Sequence, residues 1–544
     1  MTTQNTEHHD VVIVGAGAAG LYMLVQCRRL GLDAIALERA DDVGGTWYWN
    51  RYPGARCDVE SLDYSYSFDE ELQREWRWTE KYATAPEILS YLQHVADRYE
   101  LRRDIRFGTR VASAEFDEAT SGWTVTAEDG AVFTSRYVVA ATGVLSHPKA
   151  PSFPGQERFR GEILVSNRWP TEGFDFTGKR VAVIGVGSTG IQISPIVAQE
   201  ADQVFILQRT PAYSIPAFNR PLSDEEFAEA VASYPERRRI ARESLLGVDT
   251  RNENRSTFDV SEEEVAAAYQ SNFDYGGPMK LVTTFNDAVT DTKANDVLAA
   301  FLTERIRERV GDDELARRVT PDYAVASRRL CVDTDYYETL TRENVTLVDL
   351  RDDPLVELTE TGFRTEQGEQ QVDVIVLATG FDAVTGALSH IDPQGRGGLS
   401  LRRKWEEYPA SYLGIMVAGF PNLFMVDGPL SPSVNSNMFV AIEQHVEYIT
   451  RLLQLSLDRG GATIEATPEA EQEWIEHAAE VANTTVFPLT DSWYSGANIA
   501  GKASAIMPYL GGIGGYQRII DEIADDGFRG FRVTEPADAV TAGA

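Results

Sequence analysis

Short apolar runs and helical periodicities follow one another along the chain, and they do so in two similar sets. Residues 10–14, Asp-Val-Val-Ile-Val, are rich in β-branched side chains, as in a strand buried on both faces of a parallel sheet. Residues 21–30 then repeat with a period of about 3.6, which predicts a helix. Residues 33–37 predict a second strand, ending at Glu38. The second set begins with a strand over 179–184 and a helix over 191–199, which Pro195 should kink or start. A strand over 203–207 closes it, followed by Gln208, Arg209 and Thr210. Between the sets, residues 111–116, 123–126 and 137–140 read as strands. Residues 63–110 read as mixed helix and loop, with Trp76, Trp78 and Tyr82 as packing residues. Residues 144–160 carry Pro148, Pro151 and Pro154 and predict a linker. Residues 220–318 are charged and helical in period over 224–233, 236–246, 262–269 and 291–310, and their run Arg237-Arg238-Arg239 reads as a solvated face. A buried strand over 372–377 returns to the sheet pattern, and helices are expected over 443–457, 468–482 and 516–524. The His8-His9 pair and the tail from 535 are expected to be loose.

Each set is strand, glycine turn, helix and strand. The turns are Gly15-Ala16-Gly17-Ala18-Ala19-Gly20 and Gly185-Val186-Gly187-Ser188-Thr189-Gly190, both G-x-G-x-x-G. Glycines there let the backbone approach a pyrophosphate at a helix N-terminus. Glu38 can accept hydrogen bonds from ribose hydroxyls, and its charge disfavours a 2′-phosphate. In the second unit the acid is absent and Arg209 stands near its place, the pattern expected where a 2′-phosphate is paired. FAD on the first unit and NADPH on the second is the simplest pairing. The small-residue strand ends Ala141-Thr142-Gly143 and Ala378-Thr379-Gly380 repeat one another and let a cofactor pass close to backbone. The expected fold is therefore α/β, with two dinucleotide-binding (Rossmann-like) domains. Residues 1–145 and 381–544 are expected to bind FAD, 146–219 and 319–380 to bind NADP, and 220–318 to form a helical insertion in the NADP domain.

Composition narrows the partners. With 50 basic and 84 acidic residues among 544, the formal charge is −34, which argues against nucleic acid and anionic membranes. Cys27, Cys57 and Cys331 include no CxxC and cannot build a disulfide framework, so a cytoplasmic location is expected. The absent cysteine pair also excludes a disulfide reductase, leaving dioxygen or a diffusible acceptor for the electrons. The polar N-terminus lacks a signal-peptide pattern, and no apolar run reaches the ~18 residues of a membrane helix. A monomer is the default.

The stretch from 44 to 58, Gly-Gly-Thr-Trp-Tyr-Trp-Asn-Arg-Tyr-Pro-Gly-Ala-Arg-Cys-Asp, is costly to order in water unless it packs on something flat. A flavin is the expected platform, with Asp58 beside its reacting edge. Here Gly45-Thr46-Trp47, Tyr52-Pro53-Gly54 and Asp58 resemble the flavin-loop fingerprint of type I Baeyer–Villiger monooxygenases: Gly-x-Trp, four residues, Tyr-Pro-Gly, three residues, Asp. Residues 159–170 resemble the family's second signature, Phe-x-Gly-x-x-x-His-x-x-x-Trp-Pro, at Phe159, Gly161, Trp169 and Pro170, with Val165 where the family has histidine. The resemblance continues through 378–382, 436–438 and 493–498 and covers about residues 10–530.

That resemblance implies an NADPH- and O2-dependent flavin monooxygenase that inserts one oxygen beside a ketone carbonyl through a C4a-peroxyflavin, giving an ester or lactone. It implies a fixed cation for the developing negative charge. The family's Tyr-Pro-x-Gly-x-Lys-Arg corresponds to residues 323–329, Tyr-Ala-Val-Ala-Ser-Arg-Arg, making Arg329 that cation, Asp58 its partner, and Arg328 a 2′-phosphate contact with Arg209. Val165 is expected to pack the linker without taking part in catalysis. The FAD contacts implied are Gly15, Gly17, Ala18, Gly20, Glu38, Arg39, Gly45, Thr46, Trp47, Trp49, Asp58, Val59, Tyr64, Val111, Ala141, Thr142, Gly143 and Met438. Those for NADP are Gly185, Gly187, Ser188, Thr189, Gly190, Gln192, Arg209, Thr210, Arg328 and Trp493. Residues 430–433, 273–284 and 59–61 are candidates for the substrate wall. The alternatives are a flavin N- or S-oxygenating enzyme and a redox-inactive nucleotide-binding protein on the same fold.

Overall fold

The computed structural model describes residues 6–149, 152–250, 254–499, 501–502 and 504–536. Pro151 and the tail from 537 lie outside them. The first sheet places Ile105–Arg106, Ala34–Leu37, Thr6–Val14, Val132–Ala140, Gly122–Ala127 and Val111–Asp117 side by side. Leu423–Met425 adds in parallel to the far half of Val132–Ala140. The first strand begins at Thr6, because Val132–Ala140 is long enough to pair its polar start as well as its apolar end. His8 and His9 are thus not loose: they pair with Thr134 and Ser135 in register, and the His9 Nδ1 lies 2.9 Å from Asp33 Oδ2. The helix Ala18–Arg29 starts inside the glycine turn and is buried from Ala19 to Cys27, packed between the sheet and the helix Met438–Asp458.

The second sheet is fully parallel, in the order Val345–Asp349, Gln203–Gln208, Arg180–Ile184, Val374–Leu377, Glu162–Val165. Val374–Leu377 runs beside Arg180–Ile184, so Ala378 ends next to the second glycine turn. The helix Ser188–Glu200 carries Pro195 in its interior, neither at its start nor at a break.

The region after 220 is helical, with one correction. Asp224–Glu243 is a single helix with Pro235 inside it, where two were expected. Its arginines explain how it survives the lost backbone bond. Arg237 grips Asp63 with bonds of 2.5 and 2.7 Å. Arg238 donates to Asp63 O, Gln73 Oε1 and Ser65 Oγ. Arg242 pairs with Glu447 and the buried Glu443. In the basic run Arg238 is therefore a buried anchor and Arg237 a half-buried one for the segment 63–73, and only Arg239 is exposed. Helices Glu262–Tyr275 and Thr292–Val310 share one apolar core with the second sheet. Trp78 and Tyr82 are buried, as expected of packing residues. Among the described residues, no helix is long and apolar enough to cross a membrane.

Candidate active site

Both glycine turns open onto one cavity of about 860 Å³. The helices that leave them start at Gly17 and Gly187, with no side-chain cap on their first N–H groups. Several helices elsewhere are capped, by Asp69, Thr84, Ser223, Ser261 and Asp291, although Gly512–Asp525 is not. The uncapped N–H groups and the partial positive charge of the helix end suit a pyrophosphate. Glu38 lies at the end of the neighbouring strand, its carboxylate accepting from the Ala16 and Ala40 N–H groups at 2.8 Å each. The residues present thus fit two dinucleotides.

Gly20 and Gly190 do not border the cavity, contrary to their expected role as contacts. A Cβ on Gly20 would lie 2.0 Å from Gly15 O, and one on Gly190 1.9 Å from Gly185 O. They allow each helix to pack against its own turn. Every other expected contact residue borders the cavity.

The 44–58 stretch crosses between the two units. Its first part folds into the one-turn helix Thr46–Trp49, and Gly44 N–H donates to Ala16 O. Its second part rests on the helix Ser188–Glu200. Gly54 has φ +81° and a Cβ there would lie 2.4 Å from Gln192 O, so only glycine fits. Tyr52 donates to Gln192 Oε1 at 2.9 Å, and the Gln192 amide donates to Arg56 O at 3.2 Å. Gln192 therefore ties the flavin loop to the second unit as well as lining the cavity.

That contact brings Asp58 to Arg329. Nε and Nη2 of Arg329 each donate to Asp58 at 2.7 Å, a bidentate pair, and Nη1 donates to Val434 O. The side chains are 18% and 21% exposed. Burial works against the Arg329 charge, but Asp58 outweighs it and holds the guanidinium above its ordinary value. Burial pushes Tyr494 up to about 12, with Arg329 opposing and Asp58 adding. Cys331 is likewise raised to about 12 by burial, and the Cys57 thiol is raised by burial and then by Asp58. The groups around the pair therefore stay neutral near pH 7, and Arg329 keeps its charge.

At the other end, Arg209, Thr210 and Arg328 border the cavity. Arg328 donates to Asp491 O at 2.6 Å and stacks on Tyr323. Lys149, in the linker, joins them: it borders the cavity and donates to Asn498 O at 2.7 Å. Burial first, and Arg209 second, lower its affinity for a proton. Sequence reasoning missed Lys149, although a lysine in a linker beside a nucleotide unit was the available signal. Val165 pairs with Leu377, packs in the apolar layer behind the sheet and does not border the cavity. Of the expected substrate walls, Val59 borders this cavity, while Glu60, Gly276, Met279 and Lys280 line a small adjoining one that also touches Asp58.

Residues 8–220 match the flavin-binding monooxygenase-like family. The chain is 40% identical to a phenazine N-monooxygenase of Lysobacter antibioticus, covering 98% of each. It is also 40% identical to a Baeyer–Villiger monooxygenase of Pseudooceanicola batsensis, covering 97% of each. The chain belongs to the Baeyer–Villiger monooxygenase family of flavoproteins. A solved structure described as oxidized steroid monooxygenase bound to NADP shares 49% identity and a TM-score of 0.93, over 97% of this chain and all of that one. This protein is thus an FAD- and NADPH-dependent monooxygenase on two Rossmann-type units.

Proposed function

We propose that the enzyme converts a ketone, dioxygen and NADPH with a proton into an ester or lactone, water and NADP+. The observation that carries this reading is the Asp58–Arg329 pair, set in the cavity that both glycine turns share. When bound, FAD supplies the electron transfer from NADPH to dioxygen and the oxygen transfer itself. The chain's own residues do the rest. The first N–H groups of each glycine-turn helix would receive a pyrophosphate, and Glu38 would accept from ribose hydroxyls. Arg209, Arg328 and Thr210 would hold the 2′-phosphate, which favours NADPH over NADH. Arg329 would stabilise the negative charge that develops on the substrate oxygen, and Asp58 would fix the guanidinium plane. The buried thiols and phenols around the pair keep water away and strengthen that charge interaction. In domain terms, 1–145 and 381–544 hold FAD, 146–219 and 319–380 hold NADP, and 220–318 is an insertion. A cytoplasmic monomer is the accompanying reading, tested for the monomer by size-exclusion chromatography.

The purified protein should be yellow, bleach with NADPH and recover in air. Failure to bleach would sink the reading. A panel of cyclic, aromatic, steroidal and linear ketones, screened by gas chromatography, identifies the substrate. The phenazine N-monooxygenase relative favours one second reading, oxygenation of a ring nitrogen. A phenazine in the same panel decides it: N-oxide without ester from any ketone would favour that reading.

A further inference from the structure

We propose that Asp427 is a ligand for the polyol chain of the flavin nucleotide, accepting a hydrogen bond from one of its hydroxyls, with His445 and Tyr516 as positioning residues. The inference rests on the assignment of FAD to the first glycine turn.

Strand order gives the position. Ala34–Leu37, Thr6–Val14, Val132–Ala140 and Leu423–Met425 lie in that order, all parallel, so their C-terminal ends form a row. Just past those ends stand Glu38, Gly15, Ala141 and Asp427, and all four border the cavity. If Glu38 marks the ribose and the Gly15 turn the pyrophosphate, the nucleotide beyond the pyrophosphate passes the last two strand ends. In FAD that part is the polyol linking phosphate to ring, a string of hydroxyl donors. The loop after Asp427 then runs to Val434, whose carbonyl accepts from Arg329, where the ring's reacting edge is expected.

Hydrogen-bond counting gives the chemistry. Asp427 is 4% exposed, and its backbone N–H donates to His445 Nδ1 at 2.8 Å. His445 and Tyr516 are fully buried, with Nε2 2.8 Å from the Tyr516 hydroxyl. Tyr516 spends its only hydrogen on Leu413 O, at 2.6 Å, so its oxygen accepts from His445 Nε2–H. His445 is therefore the neutral tautomer with Nδ1 as acceptor. The Asp427 Oδ1 sits 3.1 Å from that same Nδ1, and two acceptors cannot bond. Accordingly Oδ1, closed off from the cavity, has no hydrogen-bond partner among the described residues, and Oδ2, which also accepts from none of them, is the oxygen open to a ligand hydroxyl. A buried carboxylate left unpaired is costly, and a ligand hydroxyl is the donor that the site lacks. Glu38 contrasts with it, since both its oxygens already accept backbone N–H groups. Asp427 is also held in place: its φ is +57°, Val426 N–H donates to Ala140 O, and Gly428 N–H donates to Gly414 O.

The test is FAD binding, not turnover. Protein stripped of flavin is titrated with FAD and with 2′-, 3′- and 4′-deoxyribityl FAD, following quenching of flavin fluorescence. Asp427→Ala should weaken FAD binding about ten- to hundred-fold, the loss of one hydrogen bond to a charged group. One deoxy analogue should bind the parent protein more weakly by a similar factor and bind Asp427→Ala no worse than FAD does. His445→Gln should weaken FAD binding in the parent and add nothing in the Asp427→Ala background. NADP binding at the second unit reports that each variant is folded. An Asp427→Ala protein that binds NADP and holds FAD within about two-fold of the parent overturns the proposal. So does an equal loss for FAD and all three analogues. Should Asp427→Ala not fold, the parent alone decides, because equal affinity for FAD and every deoxy analogue overturns the proposal. A parent that binds no FAD refutes the cofactor assignment itself, a different result from any of these.

Discussion

Asp58→Ala is the sharpest perturbation of the candidate active site, because it leaves Arg329 in place and removes what aims it. The pair makes two hydrogen bonds of 2.7 Å between charged groups that are about four-fifths buried. Each such bond contributes about 1.5–3 kcal/mol, and both are lost in the variant. The Val434 carbonyl and the Tyr494 side chain then remain beside the guanidinium. If the orienting part of that energy is expressed at the developing oxyanion, oxygenation falls by about 10²-fold, or ~2.7 kcal/mol at 1.36 kcal/mol per decade. Arg329→Ala removes the cation itself and should cost about 10²–10³-fold, the range for one oxyanion-stabilising donor. The assay measures ester formed per NADPH consumed, with the rate of anaerobic bleaching measured separately. Both variants should bleach with NADPH and waste it in air. The double variant should be no worse than Arg329→Ala, because Asp58 acts through Arg329. Ester formation by Arg329→Ala above about a tenth of the parental rate would refute the assigned role, as would full additivity of the two losses.

Other substitutions test the surroundings. Gly190→Ala places a Cβ 1.9 Å from Gly185 O, so NADP binding should be lost while the protein stays yellow, as read by visible absorbance and NADP titration. Lys149→Met should raise KM for NADPH about ten-fold and leave KM for NADH unchanged, as expected when one charged contact to a phosphate is removed. Because burial and Arg209 lower the Lys149 proton affinity, its positive charge is present at low pH and lost as pH rises, earlier than for an ordinary lysine. KM for NADPH should therefore climb on the alkaline side, and Lys149→Met should flatten that climb. Val165→His should leave the ester yield per NADPH unchanged, since Val165 packs behind the sheet and does not border the cavity; a large rise in yield would show that a histidine there has a chemical role.

What could be read from the sequence was local or repeated. The glycine turns, their strands and the acid or arginine that follows each lie within one βαβ unit, where spacing and geometry coincide. Arg329 is different: it meets Asp58 across 271 positions, and only the family resemblance linked the two stretches. The misreadings share a cause. Periodicity shows that a segment has a face but not what covers it. His8 and His9 read as loose because nothing nearby shows that Val132–Ala140 extends to meet them. Arg237 and Arg238 read as a solvated face because Asp63, Ser65 and Gln73, their buried partners, lie in the other half of the structure. The single helix Asp224–Glu243 read as two periods, 224–233 and 236–246, because the cost of the backbone bond missing at Pro235 is local, while the anchors that offset it are not.

Those distant anchors bear on function as well as on folding. The helix Asp224–Glu243 grips the segment that begins at Asp63, a few residues past Asp58, through the half-buried Arg237 and the buried Arg238, and Asp63 itself lines the small cavity beside the pair. Arg242 extends the same grip to Glu443, whose carboxylate also accepts the N–H groups of Ser67 and Phe68. The helix Asp224–Glu243 is thus bonded both to the segment 63–73 and to the helix Met438–Asp458. A run of charge that looked like solvent-facing surface is where the helix Asp224–Glu243 is fastened to the segment that follows Asp58.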